Sequence, residues 1–437
     1  LAFIPKRGLG LVVAAAGLAL PQPAAAVCSI TTADRDANGT PDVRLLGDGG
    51  RQDASIELNS DGSFFVGIDC NRNGILTDLV DKTLTGPGPV ETFFVELAGN
   101  DRLEVLQTGD LTGQARNFVI AAGTGASSYE YRTDGHGILG NSRIGIEVVG
   151  SGRGETLTLN LAGSTIASSS VVVRAELAAQ ADFLNVTGPA QVTNSELDVS
   201  VDLGTGGNDV VLNDGGAVVT GSDVVWDLQG GEDQVNADLV DATFAGRYEG
   251  GSRFTVDAAL GVGLDRFSGF VETSAFGVDT GGGSSSRVQI RVASGSGEDE
   301  LSVQTTGLGN TTVNGLVEVS LDSGAQRDRV LMDWSGLAGS GTLRLRGAGG
   351  DAADTVLASV VTSGSSQPDV DVMVSGNAEL DFTFEGDTVY AAVVDPGGNA
   401  SFGPGNAVLL SGGIDGDDFC GFFGSGPHAA LGCEAGS

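Results

Sequence analysis

From about residue 93 onward apolar and polar residues alternate. The pattern is strict in Ile144/Ile146/Val148, Val171/Val173/Ala175/Leu177, Leu197/Val199/Val201/Leu203 and Val317/Val319/Leu321. A period of two turns one face of an extended strand inward and leaves the other wet. Each such strand runs into a Gly-rich turn, then an acidic residue, then a second short apolar strand. Residues 95–105 (VELAGNDRLEV), 148–159 (VVGSGRGETLTL), 203–212 (LGTGGNDVVL), 228–235 (LQGGEDQV) and 292–303 (VASGSGEDELSV) carry the pattern, with looser copies around Asp182, Asp265, Asp328 and Asp354. The last inward apolar residue before each turn falls at Leu97, Ala122, Val148, Leu177, Leu203, Leu228, Leu260, Val292, Leu321, Leu345 and Val372. The step is about 27 residues, in the range of solenoids and arrays.

Between turns there is room for two further strands, such as Phe183–Val186 and Gln191–Thr193. The pattern therefore predicts an all-β fold: a parallel β-helix (β-solenoid), right-handed, of about eleven to twelve rungs of about 27 residues. Stacked inward Val, Leu and Ile bury a continuous core that no rung could bury alone. A series of β-sandwiches would also alternate, but would not keep its turns in one register.

Composition agrees with corners and strands. Gly makes up 71 of 437 residues and aromatics only 5%, which disfavours long helices, while 40% hydrophobic residues set the chain apart from disordered sequences. The net charge of −35, from 22 Lys+Arg against 57 Asp+Glu, argues against nucleic acid as a partner and against adsorption to an anionic lipid surface. The turn residues Asp101, Asp182, Asp209, Asp233, Asp299, Asp328 and Asp354 read as caps on local backbone N–H groups.

The ends read differently from the middle. Residues 1–26 predict a signal peptide: Lys6 and Arg7, the apolar run 9–20, then Ala24-Ala25-Ala26 as a cleavage site. No later apolar stretch is long enough for a transmembrane helix. Export places the four Cys in an oxidising space. Of the three possible pairings, Cys28–Cys70 with Cys420–Cys433 staples each end separately. The expected organisation is an N-terminal calcium-loop or capping segment at 27–92, a solenoid at 93–410 and a Cys-containing cap at 411–437.

Residues 34–42 (DRDANGTPD) fit DxDxNGxxD. Asp34, Asp36 and Asn38 at loop positions 1, 3 and 5 bring side-chain oxygens to one hard cation, Thr40 adds a backbone carbonyl, and Asp42 completes the set directly or through water. Gly39 permits the sharp turn. A second, less charged copy contains Asp69, Asn71, Asn73 and Asp78. These loops resemble the calcium loops of thrombospondin type 3 and dockerin-like repeats, which implies Ca2+ as the cofactor. The turns, above all 203–212, resemble those of secreted bacterial β-helix exoproteins, including passenger-like adhesins. Calcium-binding repeats in toxins place a similar motif every nine residues; here it comes once per rung, so the second half-turn of such a site is missing.

No GxSxG, HExxH, CxxC or phosphate loop is present, and His136 and His428 read as loop residues. The expectation is a non-catalytic exported protein of the cell surface or extracellular matrix, adhesive or structural, with glycans, cations or other copies of itself as partners. The alternative is a β-helix polysaccharide lyase or glycoside hydrolase. It would use a groove lined by Arg327, Arg329, Arg344 and Arg346, which otherwise neutralise neighbouring acids.

Overall fold

The computed structural model describes residues 28–35, 39–70, 82–86, 90–150, 153–231, 237–272, 274–278, 286–306, 311–350, 352, 354–363 and 368–377, and the strands Thr388–Val394, Ala407–Ser411, Phe419–Phe423 and His428–Leu431. Among them there is no helix; the chain is a parallel β-solenoid of about nine turns of about 27 residues.

A fifteen-stranded sheet forms the first wall. It runs through Asp42–Leu46, Thr92–Glu96, Ala115–Ala121, Arg143–Val149 and Ser170–Glu176 toward His428–Leu431, each strand parallel to the next. A twenty-three-stranded sheet supplies the other walls. The second wall stacks strands such as Arg102–Gln107, Ser128–Arg132 and Thr156–Asn160. The third stacks shorter ones, such as Leu111–Thr112, Ile138–Leu139 and Thr165–Ala167. These two walls merge at Arg329–Ala338, which pairs with both Glu300–Thr306 and Thr311–Val313. Beyond it, Thr342–Gly350 and Thr355–Thr362 make a coil without a separate third strand. The repeat then loosens, Asp371 pairing onward to Ala407. This is why the regular turns number slightly fewer than the eleven to twelve expected.

The alternation points where the pattern predicts. Leu97, Val148, Leu177, Leu203, Leu228, Leu260, Val292, Leu321, Leu345 and Val372 are all buried, and only Ala122 of that series is half-buried. Larger side chains pack in the core at two levels of the stack. Phe93 stacks on Phe118 with centroids 5.2 Å apart, and Trp226 meets Phe254 edge-on at 5.3 Å.

The first residues fold back on this stack. Ser29–Ala33 pairs antiparallel with Asp42–Leu46. Asp53–Leu58, Phe64–Ile68 and Lys82–Gly86 form an antiparallel meander whose first strand also joins Arg102–Gln107 in parallel. Phe64 packs edge-on against Phe93 at 5.6 Å, and a Cys28–Cys70 disulfide ties this segment together. Cys420 lies in Phe419–Phe423, and its expected partner Cys433 lies outside the described residues.

Corners demand glycine where rungs approach closely. Gly295 and Gly324 sit one above the other at φ 86° and 82°, and a Cβ on Gly324 would overlap the carbonyl oxygen of Gly295. Only Gly combines left-handed φ with so close a backbone approach.

Candidate functional sites

Three features of the stack carry chemistry. The first is a column at the corner between the first and second walls, where one side chain per rung accepts the backbone N–H of the equivalent residue one rung earlier. Gln52 N–H donates to Asp101 Oδ1 (2.8 Å) and Asp101 N–H to Ser127 Oγ (3.3 Å). Glu155 N–H donates to Asp182 Oδ1 (2.5 Å), Asp182 to Asn208 Oδ1 (2.9 Å) and Asn208 to Asp238 Oδ1 (3.2 Å). The series continues from Asp238 to Asp265 (2.9 Å), Asp265 to Asp299 (2.7 Å), Asp299 to Asp328 (2.8 Å) and Asp328 to Asp354 (2.8 Å). All of these acceptors are buried.

The geometry satisfies corner N–H groups that no strand can reach. It also removes carboxylates from water, which favours their neutral form. Burial raises Asp328 to about 8 and Asp265 to about 7, and their acidic neighbours in the column add to the effect. Asp182, Asp299 and Asp101 are raised as well, each chiefly by burial. The Oδ2 atoms of Asp182, Asp265, Asp299 and Asp328 are buried without a hydrogen-bond partner among the described residues.

The expected capping Asp residues are thus corrected in part. Asp101, Asp182, Asp299, Asp328 and Asp354 do stand in the column, but they reach across rungs; Asp101 also caps locally, at Gly99 N–H (2.7 Å). Asp209 is exposed on Asp209–Asn213, and its neighbour Asn208 takes the inward place because rung register, not charge, selects the residue. Asp233 lies outside the described residues, and Asp238 fills that rung. A parallel column of Ser hydroxyls at the corner leading into the first wall was not anticipated. Ser142, Ser169, Ser195, Ser222 and Ser252 each accept from a backbone N–H of the rung before, at 3.0–3.4 Å. Its sequence signal is a Ser just ahead of six consecutive first-wall strands, from Arg143–Val149 to Arg287–Ala293.

The second feature is the N-terminal loop. Asp34 Oδ2 accepts from Gly39 N–H and Asp42 Oδ2 from Arg35 N–H, both at 2.9 Å. Asp42 is only 1% exposed, and its Oδ1 has no hydrogen-bond partner among the described residues. Thr40 occupies the turn between them, while Asp36 and Asn38 lie outside the described residues. In the second loop Asp69 is buried beside the disulfide; Asn71, Asn73 and Asp78 lie outside the described residues. Among the described residues no group of three His, Cys, Asp or Glu is placed to hold a metal. The donor set that is described, two carboxylates and a turn, offers hard oxygen ligands suited to Ca2+.

The third feature is the distribution of Arg. The expected cluster of four divides between two walls, because residues before and after a rung's long strand face different sides. Arg329 opens a second-wall strand, whereas Arg344 and Arg346 lie on the first wall. Eight of the described Arg side chains reach along the stack to an acid on the neighbouring rung. Arg329 meets Glu300 (3.3 Å), Arg132 meets Glu104 (2.7 Å), Arg44 meets Glu96 (2.5 Å) and Arg291 meets Asp257 (3.4 Å). Glu318 accepts from Arg287 on one side and Arg344 on the other, the latter at 3.0 Å. Burial pushes Glu318 upward, but these two guanidinium groups outweigh it and hold the carboxyl below its usual range. His136 lies in a loop with its Nδ1 3.8 Å from Asp110, whereas His428 opens a strand.

No family model matches the chain, and no curated protein or solved structure matches it either.

Proposed function

We propose that this is an exported, non-catalytic protein of the cell surface or extracellular matrix, adhesive or structural, whose N-terminal segment is stabilised by Ca2+. The observation that carries the reading is the direction of the Arg side chains. Eight of them lie along the stack against acids of adjacent rungs, such as Arg344 on Glu318 and Arg329 on Glu300, and so hold an acidic ladder together. Long in-register faces of this kind suit repeated weak contacts, and multivalent engagement gives firm attachment without a deep pocket. Ca2+ would be held by Asp34, Asp36, Asn38, Asp42 and the Thr40 carbonyl, with Asp69, Asn71, Asn73 and Asp78 as a weaker second loop; the buried, unpartnered Oδ1 of Asp42 supports the first.

Two measurements test this. A ligand that binds only the folded state raises its stability. Millimolar Ca2+ should therefore raise the melting temperature of the full chain, and Asp34→Ala with Asp36→Ala should remove most of the gain; equal melting in Ca2+ and in chelator refutes the site. Retention of the chain on cells or polysaccharide matrix, with no release of reducing ends or unsaturated products, supports the surface role. Turnover lost on Arg329→Ala or Arg344→Ala overturns it in favour of a lyase or hydrolase.

A further inference from the structure

In a chain of net charge −35, four Arg residues gather on the outer face of the first wall. They come from two strands, Arg287–Ala293 and Thr342–Gly350, which pair with Leu316–Asp322 between them. Register places Arg291, Ser320 and Arg346 in one row across these strands, with Gln289, Glu318 and Arg344 in the row beside it. Strands stand about 4.8 Å apart, so Arg291 and Arg346 flank Ser320 and stand about 10 Å from each other. Their side chains are long enough to converge on one group between them. These side chains surround a hollow of about 240 Å³.

The two rows do different work. Glu318 is mostly buried and takes both Arg287 and Arg344, so that row is internally neutralised and fixed in place. In the other row Arg291 has a single, half-exposed contact with Asp257, and Arg346 has no acidic partner among the described residues. What sets Arg346 apart is its place: it stands across Ser320 from Arg291, on the same hollow. Its planar fork matches carboxylate and sulfate oxygens, and the Ser320 hydroxyl can donate to the same group. Met373, exposed next to Arg346 across the sheet, offers an apolar surface for a sugar ring.

We propose that this row binds the sulfate or carboxylate groups of an anionic polysaccharide, held between Arg291 and Arg346 over Ser320. The proposal rests on the surface role above and names its ligand class. Because the surrounding surface is acidic, an anionic polymer is accepted here and repelled elsewhere, which fixes where it crosses the rod.

The test uses the full chain in chelator, which removes any contribution from the calcium loops, with dextran sulfate, polygalacturonate and uncharged dextran as probes. Binding by biolayer interferometry is expected for dextran sulfate, polygalacturonate or both, which identifies the anion, and not for dextran. Arg346→Gln should weaken it about tenfold, the loss of one charge-assisted contact, and Arg291→Gln with Arg346→Gln should abolish it. Arg329→Gln on the second wall is the control and should bind as wild type does. Unchanged melting shows that the exposed substitutions leave the fold intact. Failure of both anionic polymers to bind, or equal binding by the double variant, overturns the proposal. Attachment of the chain to cells or matrix is measured separately. If it survives in the double variant, the surface role stands and only this site falls; if wild type does not attach, the surface role itself falls.

Discussion

The carboxylate column makes folding sensitive to pH in an unusual direction. Asp328 is the clearest member. Its Oδ1 accepts the Asp299 N–H, its own N–H donates to Asp354 Oδ1, and its Oδ2 is buried without a hydrogen-bond partner among the described residues. Its folded-state pKa is about 8 and that of Asp265 about 7, both above an unfolded value near 3.9. The folded chain thus binds more protons than the unfolded chain between about pH 4 and pH 8. Stability from these groups is fully present below about pH 4, falls progressively as pH rises, and is fully lost once pH has passed through 7 to 8. The perturbation that isolates the effect is Asp328→Asn. It keeps the accepting oxygen and replaces the titrating one with an amide, as the chain itself does at Asn208, whose Nδ2 donates to Gly206 O (2.7 Å) and Asp238 Oδ1 (2.9 Å). A buried oxygen that must ionise without a partner costs about 1–3 kcal/mol. In urea denaturation with chelator present, Asp328→Asn should be close to wild type at pH 5 and gain on it by about 1–4 kcal/mol by pH 9, the lower figure from the cost of the buried oxygen and the upper from the pH span between 5 and the folded pKa. Asp328→Ala strands the Asp299 N–H and should lose about 1–3 kcal/mol at both pH values. Parallel pH profiles for wild type and Asp328→Asn would refute the reasoning.

Other perturbations probe the corners and the start of the stack. Gly324→Ala, which drives a Cβ into the Gly295 carbonyl at positive φ, should cost at least about 2 kcal/mol or prevent folding, read by denaturant midpoint and soluble yield. Cys28→Ser with Cys70→Ser opens a loop with a sequence separation of 42; the loss should be about 2–4 kcal/mol, and hydrogen exchange should rise first in 29–86.

How much of this was legible follows from what each signal encodes. Strict alternation encodes a face, so the inward series from Leu97 to Val372 could be read directly, with only Ala122 less buried than its place implies. The turn period encodes the rung. The number of regular turns came out lower because Arg329–Ala338 continues through a corner, merging two walls without the break that separates earlier strands. The column was visible as recurring acids, but its membership was not. Asn208 rather than Asp209 faces inward because the residue after the turn is fixed by pairing with the rung below, a three-dimensional register that charge does not report. The Arg row was hidden for a similar reason. Arg291, Ser320 and Arg346 are adjacent only across strands, whereas the neighbours in sequence, Arg329 and Arg344, sit on different walls.

The acids fall into two populations, and salt separates them. Those of the column are buried and meet backbone N–H groups. Those on the outer faces have only 22 basic residues to share among the chain's 57 carboxylates, and register sets some against like charges on adjacent rungs, such as Glu104 opposite Glu130, Glu196 opposite Asp223 and Asp227 opposite Asp257. Rungs are about 4.8 Å apart, within the roughly 10 Å Debye length at 0.1 M salt but beyond the roughly 3 Å at 1 M. Salt also screens the Arg–acid pairs, but each exposed pair is worth at most about 1 kcal/mol. With a net charge of −35, repulsion outnumbers attraction. Stability at pH 7 should therefore rise between 0.01 M and 1 M sodium chloride. The buried column is screened far less, so the advantage of Asp328→Asn over wild type at pH 9 should persist at 1 M. Denaturation midpoints at both salt concentrations decide the matter. A fall in stability with salt would mean that the cross-rung ion pairs dominate the outer faces. An advantage for Asp328→Asn that vanishes at 1 M would place the column's charge at the surface rather than inside the corner.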